Sequence, residues 1–315
     1  MARIGVRLAG LDLRNPVLSA SGTFGHGLEM QHFTPPSSVG GLVSKTVTLR
    51  PRAGNPHPRI RETEAGFLNS IGLENRGVEA YLRDVVPQMA AADCAVITNI
   101  GGESVEEFAE MAARLEGVEA VDALEVNLSC PNVQGGRLPF STDARVAERV
   151  MAGVRAVSTK PVFAKLSPNV TDIAEIARGA EAGGAHALTA VNTLLGMAVD
   201  WRARTPGLAT VQGGYSGTGI KPVALRCAWS CARAVSIPVI GCGGVATAED
   251  VLEFLVVGCS AVQVGTAAFG DPALIGRLGA RLGELLDQAG VADIGELVGS
   301  LRDGCSSPRT TGVAT

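Results

Sequence analysis

The sequence predicts an α/β protein built as a (β/α)8 TIM barrel, preceded by a small N-terminal β-hairpin and carrying long loop insertions at the active-site end. Three observations predict it. Eight short, largely apolar runs of strand length recur along the chain, most of them separated by segments long enough for a helix. The runs end on polar residues or glycine, where strands of such a barrel open onto its mouth. Gly241-Cys242-Gly243-Gly244 and Gly265-Thr266 follow the seventh and eighth runs, the strand ends at which these barrels commonly hold a phosphate on backbone N–H groups.

Residues 4–8 and 11–13 alternate around Ala9-Gly10 and read as the hairpin. The barrel runs are residues 16–21, 41–45, 94–99, 123–126, 162–165, 187–192, 239–241 and 261–265. Between them, Ser104-x-x-Glu107 is a capping-box pattern ahead of Phe108, Met111 and Leu115. Thr247-x-x-Asp250 is a weaker one, with Gly258 placed to end its helix. Pro222 and Pro272 suit first helical turns, and Asp271 suits a cap for the second. Amphipathic segments close at residues 154–157 and at 177–182, the latter on Gly183-Gly184. Two insertions, residues 46–75 and 192–219, show no helical period and read as structureless loops that carry function. No repeat or low-complexity linker divides the chain, so residues 1–315 read as one domain, with a Ser/Thr/Gly-rich tail over 306–315 that is expected to fray.

Composition narrows the function. A net charge of −4, from 27 basic and 31 acidic residues with no basic run, argues against a nucleic-acid partner. The first 16 residues are charged and lack an apolar h-region, and no run reaches the ~18 apolar residues of a membrane span. Seven cysteines without a CxxC pair fit a reducing cytoplasm better than a disulfide framework. Cys227 and Cys231 lie one helical turn apart with no third ligand nearby, which fits helix packing. The 40 glycines follow no period and suit tight turns and close backbone approaches to a ligand.

The chemistry gathers at the ends of the runs: Ser21, Lys45, Asn99, Asn127 with Cys130, Lys165, Asn192, Gly243-Gly244 and Gly265-Thr266. Closing the barrel brings two lysines, three asparagines and a thiol to one mouth, a ring that packing does not explain. Its centre is Asn127-Leu128-Ser129-Cys130-Pro131-Asn132. Pro131 cannot donate to a sheet and pushes Cys130 out of helical space, so the strand stops there. A thiol titrating near ~8.5 can serve as a nucleophile or a general base, or can be a buried inert group. Lys165 can form a Schiff base, place positive charge beside a flavin, or snorkel from the rim. Gly241-x-Gly243 is not a dinucleotide fingerprint, because the third glycine and the downstream acid are missing.

Ala20-Ser21-Gly22-Thr23-Phe24-Gly25, Ser44-Lys45-Thr46-Val47-Thr48, Asn69-Ser70-Ile71-Gly72-Leu73-Glu74-Asn75-Arg76-Gly77, the Cys130 hexapeptide, Asn192-Thr193-Leu194-Leu195-Gly196-Met197 and the two glycine turns resemble class 1 dihydroorotate dehydrogenases. The resemblance covers nearly the whole chain, and Ile71 with the 192–197 run fits class 1B best. It implies an FMN-binding barrel that oxidises dihydroorotate to orotate in pyrimidine (UMP) biosynthesis. Cys130 would be the base that takes the C5 proton while hydride passes from C6 to the flavin. Lys45, Asn69, Ser70, Ile71, Gly72, Leu73, Asn127, Asn192 and Thr193 would hold the substrate. Carboxamides suit that task because they both donate and accept. Ser21, Lys45, Thr46, Asn99, Asn127, Lys165, Val191 and Gly217 would line the FMN, and Gly243, Gly244, Gly265 and Thr266 its phosphate. Loop 132–140 would be a lid that excludes water. Class 1B further implies a homodimer and a separate subunit with FAD and a [2Fe–2S] cluster that passes electrons to NAD, since nothing in this chain can bind that cluster. Tyr215, Thr218-Gly219 and Ser141 depart from the family pattern. The rival readings are a fumarate-using class 1A enzyme, a Schiff-base aldolase through Lys165, and a non-catalytic phosphate-binding scaffold.

Overall fold

Each of the eight runs forms a parallel strand: β1 (Val17–Ser19), β2 (Gly41–Val43), β3 (Ala95–Gly101), β4 (Ala123–Asn127), β5 (Val162–Leu166), β6 (Ala187–Ala190), β7 (Val239–Cys242) and β8 (Ala261–Val264). Neighbours pair in sequence order, β8 pairs β1, and β2 pairs β3, so the sheet closes into a barrel. The computed structural model describes residues 1–129 and 142–302.

Side chains on a strand alternate between its faces, which fixes what fills the barrel. Leu18, Val43, Ile97, Ala123, Phe163, Ala187, Ile240 and Ala261 form one buried cluster at its floor. The hairpin Val6–Leu8/Leu11–Leu13 adds Leu8 and Leu13 to the same cluster and plugs that end. Its turn residues Ala9 and Gly10 both have positive φ (48° and 93°), the turn whose twist matches the flanking strands. Two residues further along six of the strands, the same inward period brings Asn99, Glu125, Lys165, Thr189, Cys242 and Gln263 above the floor, all of them buried. The floor is apolar and the layer above it is polar.

The outer helices bury one stripe each against the strands; Val105–Glu116, for example, buries Phe108, Met111, Ala112 and Leu115. Their ends differ in detail from the sequence patterns. The Thr247 box is complete: Thr247 accepts from Asp250 N at 3.1 Å and Asp250 accepts from Thr247 N at 2.9 Å. At Ser104 the box is half made, because Glu107 reaches back to Glu103 N (2.7 Å) instead of the cap. Helix Ala248–Val256 ends as predicted on Gly258, whose N–H bonds Leu255 O while Cys259 N bonds Phe254 O, a Schellman closure. Pro222 lies in the first turn of Lys221–Ala234. Pro272 does not start a helix: Leu274–Ala289 begins two residues later with Ala273 at its cap, and Asp271 accepts from Ala273 N at 3.2 Å in the turn before it. Cys227 and Cys231 are buried on Lys221–Ala234 and belong to the main core, as expected for helix packing.

The two insertions are not structureless. Strands Ile60–Thr63 and Gly66–Asn69 from the first pair with Gln212–Ser216 and Leu194–Met197 from the second in a four-stranded antiparallel sheet. Its register sets Asn69 opposite Gly214 and Phe67 opposite Ser216. The sequence hid this sheet because Gly213-Gly214 has poor strand propensity and only Leu68 and Gly213 are buried across its four strands. Glycine at 66 is obligatory: its φ is +157° and a Cβ there would lie 1.9 Å from Ser216 O. The first insertion continues into an unpredicted helical stretch, Gly77–Ala80, Tyr81–Val85 and Val86–Met89. Pro87 argues against a helix in the sequence; it lies in the first turn of Val86–Met89, just after the π turn Tyr81–Val85, where Val86 N–H bonds Tyr81 O.

Candidate active site

The C-terminal ends of the strands meet around a buried ion pair. Lys165 on β5 donates through Nζ to Gln263 Oε1 (2.9 Å), Ser21 Oγ (3.1 Å) and Glu125 Oε1 (3.4 Å). Glu125 on β4 also accepts from Asn99 Nδ2 (2.6 Å), Thr189 Oγ1 (2.8 Å) and Gln263 Nε2. Asn99 in turn accepts from Thr46 Oγ1 at 2.6 Å. Seven side chains from five strands and two loops are thereby fixed in one network.

Charge follows geometry. Burial alone would lower the Lys165 pKa, but the Glu125 carboxylate, with a contribution from Cys242, outweighs it and raises the pKa above that of an ordinary lysine. Burial pushes the Cys242 thiol up, with Lys165 opposing and Glu125 adding to the rise. At neutral pH the layer therefore holds the Lys165 ammonium and a protonated Cys242 thiol. The ammonium has a hydrogen-bond partner for each of its three donors.

A carboxamide shelf lies beside it. Asn192 Nδ2 donates to Asn127 Oδ1 at 3.2 Å, and Asn192 Oδ1 accepts from Thr193 N at 2.8 Å. Val191 N bonds Cys242 O at 2.8 Å and Asn192 N bonds Leu166 O at 2.8 Å, which ties this strand end to its neighbours. Asn69 arrives on the antiparallel sheet and donates to Gly214 O at 3.2 Å. The following loop is braced by Asn55, whose amide donates to Ser70 Oγ (2.8 Å) and whose N–H bonds Ile71 O (3.0 Å). Gly72 and Leu73 continue it with φ of 75° and 54°. Lys45 follows β2, half-buried, its N–H on Gly25 O at 2.8 Å. Gly217 has φ +113° beside Ser216, whose hydroxyl meets Thr266 Oγ1 at 2.9 Å. Cys130, the segment 132–140 expected to be a lid, Ser141 and the tail 306–315 lie outside the described residues.

The glycine turns after β7 and β8 make a cradle. The N–H groups of Gly243, Gly244, Gly265 and Thr266 donate to no acceptor among the described residues. Gly244 has φ +78°, and a Cβ there would lie 2.6–2.7 Å from Lys221 Cβ, Cα and N. Unengaged donors in a turn that admits no side chain fit a phosphate. Gly244→Ala must adopt a left-handed conformation against Lys221, so a stability loss of ~1–3 kcal/mol is expected in chemical denaturation. An unmoved denaturation midpoint would contradict this close approach.

The structure brings together the predicted Ser21, Thr46, Asn99, Asn127, Lys165 and Asn192. Sequence reading missed Glu125, Thr189 and Gln263, the buried half of the network. A signal was present: Glu125 and Gln263 interrupt apolar strands two residues after the floor residues Ala123 and Ala261.

The dihydroorotate dehydrogenase family model matches residues 3–286. Three similar curated proteins are each named dihydroorotate dehydrogenase B (NAD(+)), catalytic subunit. They come from Solidesulfovibrio magneticus (52% identical), Trichlorobacter lovleyi (49%) and Geobacter sulfurreducens (48%), and each match covers 95% of this chain and 98% of the relative. A crystal structure of DHODH from Eimeria tenella in complex with ferulenol superposes with a TM-score of 0.79 at 22% identity, over 95% of this chain and 88% of that one, a likeness of fold. The chain belongs to the dihydroorotate dehydrogenase family.

Proposed function

We propose that this chain is the catalytic subunit of an NAD-linked dihydroorotate dehydrogenase, one FMN-binding domain that oxidises dihydroorotate to orotate for pyrimidine synthesis. The observation that carries the reading is the Lys165 ammonium, saturated with hydrogen bonds and held cationic at a barrel mouth lined with carboxamides. A lysine of that kind supplies a fixed positive charge. It is a poor Schiff-base nucleophile, because the attacking amine must first lose a proton that the raised pKa keeps on Lys165.

FMN, held by the Gly243-Gly244 and Gly265-Thr266 cradle at its phosphate and lined by Ser21, Thr46, Asn99, Lys165, Val191 and Gly217, would supply the acceptor for the C6 hydride. The chain's own residues do the rest. Asn69, Asn127 and Asn192, with Thr193 and the Ser70-to-Leu73 loop, hold the substrate carboxylate and ring amides. Lys45 neutralises charge beside them. Cys130 removes the C5 proton. The sheet built from the two insertions carries Asn69 toward the mouth on Gly214, so the substrate shelf rests on paired backbone. Segment 132–140 excludes water as a lid.

The relatives' names favour NAD over fumarate as final acceptor. We assign the NAD step to a separate FAD and [2Fe–2S] subunit docked on a cytoplasmic homodimer of this chain. Among the described residues no group of His, Cys, Asp and Glu could hold a metal ion, and no helix is long and apolar enough to cross a membrane. The purified chain is expected to be yellow, with about one FMN each. Dihydroorotate should bleach it, and dyes should reoxidise it far faster than NAD. A colourless preparation that takes up no added FMN would sink the flavin reading. Rapid NAD reduction by the isolated chain would remove the need for the partner, and efficient fumarate turnover would move the chain to the fumarate-using class.

A further inference from the structure

Glu125 is the most buried charge in the barrel and touches nothing at the mouth. Its relative exposure is 0%, against 3% for Lys165. In register, Glu125 lies beside Phe163 of the floor layer, whereas Lys165 lies beside Asn127, one inward position nearer the mouth. The carboxylate thus sits behind the ammonium. Both of its oxygens are committed, to Asn99 and Lys165 on one side and to Thr189 and Gln263 on the other. Gln263 bridges the pair, donating to Glu125 and accepting from Lys165.

We propose that Glu125 is a positioning residue for the flavin's electrostatics. It keeps Lys165 protonated and aimed at the mouth, so that the positive charge facing the flavin does not vary across the physiological pH range. The inference rests on the flavin reading above. The titratable groups facing Lys165 are Glu125 on β4 and Cys242 on β7. Cys242 stays a neutral thiol, its ionisation pushed up by burial. Glu125 therefore provides the countercharge that offsets burial of the ammonium. Without it, burial outweighs the remaining contribution from Cys242, and the Lys165 titration is expected to fall toward the neutral range.

Sulfite reads this charge without turnover. Its lone pair forms a bond to flavin N5, the displaced electron pair comes to rest over N1 and the C2 carbonyl, and a nearby cation stabilises the adduct. The experiment measures sulfite dissociation constants for FMN-loaded wild type, Glu125→Gln, Lys165→Met and the double variant Glu125→Gln/Lys165→Met, over a pH series. The ratio of Glu125→Gln to wild type is expected to be flat at low pH and then to rise ~10-fold per pH unit, because adduct formation now requires Lys165 to take up a proton. Taking the ratio cancels the titration of sulfite itself. The double variant has no cation to titrate, so its ratio to Lys165→Met should be flat throughout.

A flat Glu125→Gln ratio in protein that holds FMN overturns the proposal and leaves the flavin reading intact. If wild type binds no FMN, both fall. If Glu125→Gln fails to fold or to load FMN, recovery in the double variant supports action through Lys165. Failure of both variants overturns it, since Glu125 is then a scaffold for Asn99, Thr189 and Gln263 independent of the lysine.

Discussion

Cys130→Ser is expected to slow bleaching of the bound flavin by dihydroorotate ~10²–10⁴-fold, the range typical of a lost general base. Binding of FMN and orotate should survive, because carboxamides and backbone groups provide those contacts. The residues before Cys130 are tightly placed: Leu128 N bonds Val126 O (3.0 Å) and Lys165 O (3.2 Å), and Ser129 N bonds Asn127 Oδ1 (3.3 Å). The chain therefore leaves β4 with its direction set, and Pro131, two residues later in the sequence, has no N–H to donate to a ladder. A thiol gives up its proton near ~8.5, whereas a serine hydroxyl does not ionise in the accessible range. The bleaching rate of wild type should consequently rise with pH as the thiolate forms, and the serine variant should shift that rise upward. No histidine lies in this stretch to share the proton, which favours a base over a covalent nucleophile. Stopped-flow bleaching across pH compares the two proteins. Near wild-type rates in the variant, with an unmoved profile, would remove Cys130 from the chemistry.

The barrel was legible because its eight strands are short apolar runs with helices between them, and burial rewards that pattern directly. The mouth was legible because strand ends such as Lys45, Asn99 and Asn192 break the apolar runs where the fold requires an exit. Three parts were not. The sheet joining the two insertions is made by glycine-rich, mostly exposed strands, so it carries neither hydrophobic alternation nor propensity. The helical stretch through Pro87 contains a residue that argues against it locally and is held by tertiary burial of Val78, Tyr81 and Met89. Glu125, Thr189 and Gln263 sit inside apolar strands, where single polar residues look like noise. Their meaning appears only once closure of the sheet points them at one another and at Lys165. Local sequence records what each residue prefers, and the long-range pairing that joins β4, β5, β6 and β8 decides what it meets.

Lys165→Met should cost ~3–5 kcal/mol of folding stability in the flavin-free protein, because it strands a carboxylate in the barrel interior. Methionine matches the lysine stem in length and flexibility, so little of the loss should come from a cavity. Asn99, Thr189 and Gln263 continue to donate to Glu125, which places the expected loss toward the lower end of that range. Glu125→Gln/Lys165→Met should recover most of it, since replacing both members of a buried pair is often neutral or better. The wild-type pH dependence follows from the raised pKa of Lys165. A group whose folded pKa lies above its unfolded value stabilises fully below the unfolded value, ~10.4 for lysine, and loses that contribution as pH climbs through the folded one. From the lysine's side, the pair's stabilisation should thus be constant through neutral pH and fade only in strongly alkaline solution. Urea denaturation of the three proteins at neutral pH, with wild type repeated at alkaline pH, measures all of these effects. A loss below ~1 kcal/mol in Lys165→Met, or no recovery in the double variant, would show that the two charges are neighbours in the barrel without being energetically coupled.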